Sequence, residues 1–275
     1  MRYIMLNEKN PEQMNLDLTN KTALVCGASQ GLGLAAATEL TLMGANVIAA
    51  SRNENNLRSA IQSLDTSKGQ QHDLLVLDLS DPKEVKKTVS AFLDKGNVIH
   101  ILVNNAGGPP SLPMIETDVD EIERSFRTHL ISSHVLAQLV FPGMKAAGFG
   151  RIVNITSASA KQPINGLGIS NLVRAAVGNW AKTLANEISR FGITVNNVLP
   201  GYTKTERLDS LLMKQAAEQN IDKETALKKA AANIPLGRVG EPLEFGAAVA
   251  FLCSPAAAYI NGINLPVDGG RTGSL

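Results

Sequence analysis

The sequence predicts a single α/β domain: a doubly wound parallel sheet of about seven strands with helices on both faces. Three observations carry this. From Lys21 onward, short β-branched or aliphatic runs alternate with longer amphipathic stretches. The short runs are apolar throughout rather than alternating, as strands are when helices cover both faces of a parallel sheet. No repeat, low-complexity tract or Pro/Gly/Ser-rich linker divides the chain, so strand, helix, strand repeats without a break. At 275 residues, 44% hydrophobic and 19% charged, the chain can bury a sizeable core. Aromatics make up only 4%, so that core is Ala, Leu, Ile and Val.

The elements follow in order. Residues 1–15 are polar and aperiodic and read as an extension, leaving 16–275 as the domain. Strand Thr22–Cys26 runs into a glycine-rich turn and helix Gly33–Met43, and strand Asn46–Ala50 into helix Asn55–Leu64. Strand Leu74–Asp78 leads to helix Pro82–Asp94, whose Pro sits in the first turn, where its missing N–H costs little. Strand Ile99–Asn104 precedes a long helical pattern, Asp120–Ala147, and strand Arg151–Thr156 precedes another, Ser170–Arg190. Strand Thr194–Leu199 opens on an insertion, about 202–236, with helical patterns Glu206–Gln219 and Asp222–Ala232; helix Pro242–Leu252 and strand Ile263–Val267 close the chain. The insertion carries apolar Leu208, Leu211, Leu212, Met213, Leu227 and Ile234, as a substrate lid would. The small residues Ala175, Ala176, Gly178, Ala181 and Ala185 suit packing against a second copy, hence a homo-oligomer, dimer or tetramer.

Charge narrows the partners. Lys plus Arg (26) against Asp plus Glu (25) leaves +1, no field to recruit nucleic acid or an anionic membrane. The two cysteines, Cys26 and Cys253, lie far apart in apolar contexts, which excludes a disulfide scaffold and a Cys-rich zinc site. No apolar run approaches the length of a membrane helix. A cytoplasmic protein without metal is expected.

The turn Gly27-Ala28-Ser29-Gln30-Gly31-Leu32-Gly33 lies between a strand and a helix, where unpaired backbone N–H groups and the positive helix end converge on one point, as a pyrophosphate requires. Gly27 makes the turn, Gly31 admits the phosphates and Gly33 lets the helix press on the strand. Ser29, Gln30 and Leu32 border the same site. At the end of the second strand, where an acidic residue would select NAD, the chain has Ser51-Arg52, a hydroxyl and a guanidinium suited to the 2′-phosphate of NADP(H). Asp78, with Leu79 beside it, can accept from the adenine amino group, and Asn105-Ala106-Gly107 can border the ribose and nicotinamide.

In this order, Gly27-x-x-x-Gly31-x-Gly33, Asn104-Asn105-Ala106-Gly107, the run Gly150 to Ser157, Pro200-Gly201, Gly240-Glu241-Pro242 and Val267-Asp268-Gly269-Gly270 resemble the short-chain dehydrogenase/reductase family, and within it the 3-oxoacyl-(acyl-carrier-protein) reductase-like members. The resemblance, from about Leu16 to Gly270, implies a Rossmann-type fold, commonly a tetramer, and hydride transfer between nicotinamide and a small-molecule carbonyl or alcohol, 3-oxoacyl thioesters among them. It also implies that Pro200, Gly201, Thr203 and Thr205 touch the cofactor, and that Cys26 stands where the family has Thr.

Catalysis departs from the family. Its serine matches Ser157, but its Tyr-x-x-x-Lys falls on Ser170-Asn171-Leu172-Val173-Arg174, and its supporting asparagine on His129. The only tyrosines are Tyr3, Tyr202 and Tyr259, so no realignment restores the motif. Ser170 can hold a carbonyl oxygen but is a poorer acid than a phenol, while Arg174 stays charged and can bond ribose hydroxyls. Losing a general acid costs roughly 10²- to 10⁴-fold, about 3–5 kcal/mol. His129, which ordinarily titrates near neutrality, and Tyr202, beside Pro200-Gly201, are the available substitutes. The expectation is an NADP(H)-dependent oxidoreductase with a rebuilt proton relay; the alternative is a nucleotide-binding homologue without redox turnover, a sensor or the silent subunit of an assembly.

Overall fold

The computed structural model describes residues 14–274. The expected extension, residues 1–15, lies almost wholly outside the described residues; of its last two, Asn15 is tied, its carbonyl accepting the Ala256 N–H at 2.9 Å.

The seven strands are β1 (Thr22–Cys26), β2 (Asn46–Ser51), β3 (Asp73–Val76), β4 (Ile101–Asn104), β5 (Gly150–Ile155), β6 (Ile193–Pro200) and β7 (Asn264–Val267). They form one sheet in the order β3-β2-β1-β4-β5-β6-β7, every pairing parallel. After β3 the chain returns to the other side of β1, so the connections leaving β1 and β4 diverge and open a crevice at their carboxyl ends. Between the strands run α1 (Gly31–Leu42), α2 (Glu54–Gln62), α3 (Pro82–Leu93), α4 (Val119–Phe126), α5 (Ser132–Ala147), α6 (Gly168–Ile188), α7 (Glu206–Gln219), α8 (Lys223–Ala232) and α9 (Pro242–Cys253).

The central strands serve two cores. Val25, Val47, Val103, Val153 and Val198 pack with Ala36, Leu40, Phe245 and Val249 of α1 and α9. Leu24, Ile48, Leu102, Ile152 and Val195 pack with Val85, Leu136, Val140, Ala181 and Ile188 of α3, α5 and α6. Helices α1 and α9 cross closely because a Cβ on Gly246 would lie 2.5 Å from the Ala35 carbonyl oxygen. Both Pro-initiated helices form as expected; Asp81 caps α3 through the Lys83 and Glu84 N–H groups. A row of asparagines, buried except for the last, crosses the sheet near its carboxyl edge: Asn104 Nδ2 donates to Asn154, Asn154 to Asn197 and Asn197 to Asn264, each at 2.8 Å.

Two expectations are corrected. The helical pattern Asp120–Ala147 is not one α-helix: a π-helical turn, Arg127–Ile131, separates α4 from α5. Such a turn adds a residue without interrupting the helical path, so apolar periodicity does not disclose it. And Ala181 and Ala185 do not face a second copy, because both are fully buried against this chain's own sheet, while Ala175 of the same helix is exposed. Ala181→Glu is therefore expected to destabilise the chain by about 3 kcal/mol or more through an unpaired buried charge, rather than to disperse an oligomer of folded subunits. Thermal denaturation checks this: an unchanged melting temperature would refute the packing described.

Among the described residues no helix is long and apolar enough to cross a membrane, and no cluster of His, Cys, Asp or Glu is arranged to hold a metal.

Candidate functional site

A cleft of about 1390 Å³ runs along the carboxyl edge of the sheet, from the glycine turn under the β4 loop to the start of α6 and the inner side of α7. It gathers nearly every residue singled out from the sequence. Ser29, Gln30, Leu32, Ser51, Arg52, Asp78, Leu79, Asn105, Ala106 and Gly107 line one end; Ser157, Ser170, Arg174, Pro200, Gly201, Tyr202, Thr203 and Thr205 line the other.

The glycine turn is built for close approach. Gly27 and Gly31 have φ of +60° and +58°, the left-handed region that favours glycine. Gly33 is fixed by contact instead: a Cβ there would lie 2.1 Å from the Gly27 carbonyl oxygen and 2.7 Å from Asn105 Nδ2. The Asn105 amide also donates to the Gly27 carbonyl at 3.4 Å, joining the β4 loop to the turn. Beneath it Cys26 is fully enclosed, its thiol pushed up to about 12 by burial, so it packs rather than reacts. At the end of β2, Ser51 Oγ is buried without a hydrogen-bond partner and Arg52 is exposed beside it. Asp78 lies just past β3, which ends two residues before the sequence predicted. Its carboxyl is partly desolvated, which raises its pKa, but the Ser80 N–H and hydroxyl, at 2.9 and 2.8 Å, and Arg52 together hold it below the usual range.

At the far end, Ser157 leaves β5 with its Oγ accepting the Ser159 N–H at 3.1 Å. Ser159 Oγ stands 3.3 Å from Ser170 Oγ on the first turn of α6, so three serines form one bonded group. Arg174, one turn on, is 7% exposed; Nη1 donates to the Ile155 carbonyl at 3.0 Å and Nε has no partner. Burial, then the charge of Arg207, lowers its pKa to about 10, and it remains a cation at neutral pH.

The two expected proton donors separate. His129 sits on the π-helical turn, 5% exposed, and is not among the residues lining the cleft. Burial and the Arg174 charge push its pKa down to about 2, so it is a neutral imidazole and does not titrate near neutrality. Its expected role as a proton donor is corrected on both counts. Tyr202 does line the cleft, its ring 4.1 Å beneath the Arg271 guanidinium, whose Nη2 donates to the phenol oxygen at 3.4 Å.

The segment expected to act as a lid folds as two helices on a small core of their own, Leu208, Leu212, Ala216, Ala226, Ala230 and Ile234, with Leu227 packed against it. Of the predicted apolar set Leu208 and Leu211 border the cleft, and Met213 is 60% exposed. Thr205 caps α7, and the Gln30 amide donates to Glu206 at 2.9 Å, linking α7 to the glycine turn. Sequence reasoning missed Ser159, Arg207 and Arg271. Only the Ser157-Ala158-Ser159 spacing hinted at the first; nothing local marked the arginines.

Comparison with known proteins agrees with this geometry. Residues 27–272 match the family described as enoyl-(acyl carrier protein) reductase. A tropinone reductase homologue of Arabidopsis thaliana is 35% identical over 259 residues, 93% of each chain. The 3-oxoacyl-(acyl-carrier-protein) reductase of Vibrio cholerae is 34% identical over 256 residues, 93% of this chain and 98% of that one. Among solved structures, L-sorbose reductase of Gluconobacter frateurii, in complex with NADPH and L-sorbose, superposes with a TM-score of 0.89 at 30% identity, covering 95% of this chain and all of the other.

Proposed function

The chain belongs to the short-chain dehydrogenase/reductase family, and from that premise we propose that it interconverts a carbonyl and an alcohol on a small molecule by a catalytic group rebuilt around Ser157, Ser170 and Tyr202. The cofactor is NADP(H), and the residues fit it: the enclosed, partnerless Ser51 hydroxyl beside Arg52 suits a 2′-phosphate, and the turn at Gly27–Gly33 leaves room only for backbone. When bound, the nicotinamide supplies or accepts the hydride.

The chain's own residues do the rest. Ser157 and Ser170 donate hydrogen bonds to the carbonyl oxygen as negative charge builds on it, with Ser159 orienting both. Arg174 holds the nicotinamide ribose hydroxyls with the nitrogens that Ile155 leaves free. On this reading Ser170 and Arg174 take the places that the resemblance gives to Tyr and Lys. Tyr202 supplies the proton, and Arg271 offsets the charge left on its oxygen. The observation that carries this reading is the union in one cleft of the glycine turn with the Ser157, Ser170 and Arg174 group. It is tested by following NADPH oxidation against simple ketones and 3-oxoacyl thioesters beside a binding titration. Turnover supports it; binding without turnover favours the sensor or silent-subunit reading, which the replaced Tyr and Lys already recommend.

Arg52→Asp is expected to weaken NADPH binding roughly 10- to 100-fold and to improve NADH binding, because a guanidinium to phosphate bond is replaced by repulsion. Calorimetry checks it; equal NADPH affinity would remove Arg52 from the site. Cytoplasmic location and self-association belong to the same proposal. Assembly through the exposed side of α6 is tested by sedimentation of Ala175→Glu, which stays folded and disperses.

A further inference from the structure

The cleft holds cations that nothing in it neutralises. Among the described residues lining it, Arg124 pairs with Glu121, Lys204 with Glu241 and Lys214 with Glu218. The acids lining it are engaged elsewhere: Asp78 with Ser80, Glu206 with Gln30 and Glu218 with Lys214. Of the four cations that form no ion pair among the described residues, Arg52 is assigned to the 2′-phosphate and Arg271 stacks on Tyr202, which leaves Arg174 and Arg207. Arg174 is the costlier of the two, since it is buried with Nε unsatisfied, and a buried guanidinium is retained where an anion or a full set of acceptors meets it.

Arg207 has the position to complete such a site. It lies in the first turn of α7 and reaches across the cleft to the β4 loop, Nη2 standing 3.4 Å from the Pro109 carbonyl oxygen and the guanidinium packed against Gly108. That single long bond to a neutral carbonyl leaves most of its donors free. The phosphates of the cofactor are already served, by the glycine turn and by Ser51 and Arg52. A planar fork of donors on the lid, facing a second cation at the reacting end, is the arrangement that reads a carboxylate or phosphoryl group with two parallel bonds.

We infer that the substrate carries a compact anionic group, a carboxylate or a phosphoryl, which Arg207 of the lid grips against the Gly108–Pro109 loop while the buried Arg174 offsets its charge. This rests on the oxidoreductase reading and narrows its substrates to oxo or hydroxy acids and phosphorylated ketones. Neutral ketones bind the same cleft without that anchor.

The experiment is calorimetry on the NADP⁺-bound protein, needing no turnover, with three pairs of probes: 4-oxopentanoate and its methyl ester, 3-oxobutanoate and its methyl ester, and dihydroxyacetone phosphate and dihydroxyacetone. The anionic member of at least one pair is expected to bind roughly 10- to 100-fold more tightly than its neutral partner. The pair that shows it tells carboxylate from phosphoryl. Arg207→Gln is expected to erase the difference while leaving NADP⁺ affinity and melting temperature unchanged, and Arg207→Lys to restore part of it. Equal binding within every pair overturns the inference. So does a loss in Arg207→Gln that falls equally on anionic and neutral probes, which would make Arg207 a pin for the lid, or on NADP⁺ itself, which would make it a cofactor residue. Failure of the wild type to bind NADP⁺ at all would count instead against the oxidoreductase reading.

Discussion

Gly33→Ala is expected to cost NADPH affinity by about 10³-fold or more, some 4 kcal/mol. The added Cβ would sit 2.1 Å from the Gly27 carbonyl oxygen and 2.6 Å from its carbonyl carbon, both backbone atoms of the same phosphate-binding turn. Neither can rotate away. Helix α1 must therefore back off β1, and the N–H groups at its start leave the position that the pyrophosphate needs. The melting temperature falls as well, since overpacking costs typically 1–3 kcal/mol. Gly107→Ala is the control for packing: no atom of the chain lies within 4 Å of its added Cβ, so its melting temperature should stay that of the wild type. Wild-type NADPH affinity in Gly33→Ala would disprove the cradle.

Ser157→Ala is expected to lower kcat/KM roughly 10²- to 10³-fold, the cost of one donor to a developing oxyanion, with NADPH binding intact. The side chain is half-buried and makes one local bond, to the Ser159 N–H, so its removal leaves the fold in place. Because Ser159 also meets Ser170, the variant loosens Ser170 too, and Ser159→Ala should reproduce a smaller part of the loss. An unchanged kcat/KM in Ser157→Ala would take the carbonyl oxygen away from this group.

The fold was legible where its cause is local. Strands buried on both faces are written as unbroken apolar runs, and all seven are where such runs stand; β1 matches residue for residue, while α1 begins at Gly31, two residues before the expected start, inside the glycine turn. The edge strand β3 begins and ends earlier than expected, since it pairs with β2 alone and only a few ladder bonds fix its limits. Ala181 was misread because composition says that a face is small without saying what it meets. The site was legible as a cofactor cleft and much less so as chemistry. Arg271 meets Tyr202 across 69 residues and Arg207 meets Pro109 across 98, pairings that no spacing rule contains. His129 was expected to titrate near neutrality because its ordinary pKa does; burial, which belongs to the folded state alone, removes that property.

The asparagine row solves a problem that the apolar sheet creates for itself. A strand that is half-polar cannot slip by one residue without turning its apolar side chains to water, whereas strands apolar on both sides lack that penalty. In β4 to β7 the amides supply it: Asn104, Asn154, Asn197 and Asn264 are opposed in register, and a slip of β5 or β6 would break the bonds to both neighbours and leave buried amides unpaired. Slippage therefore costs several kcal/mol at each joint, on the order of 1–3 per stranded group. With these strands held in register, Asn105, Ser157 and Gly201, which follow β4, β5 and β6, are brought to line one cleft.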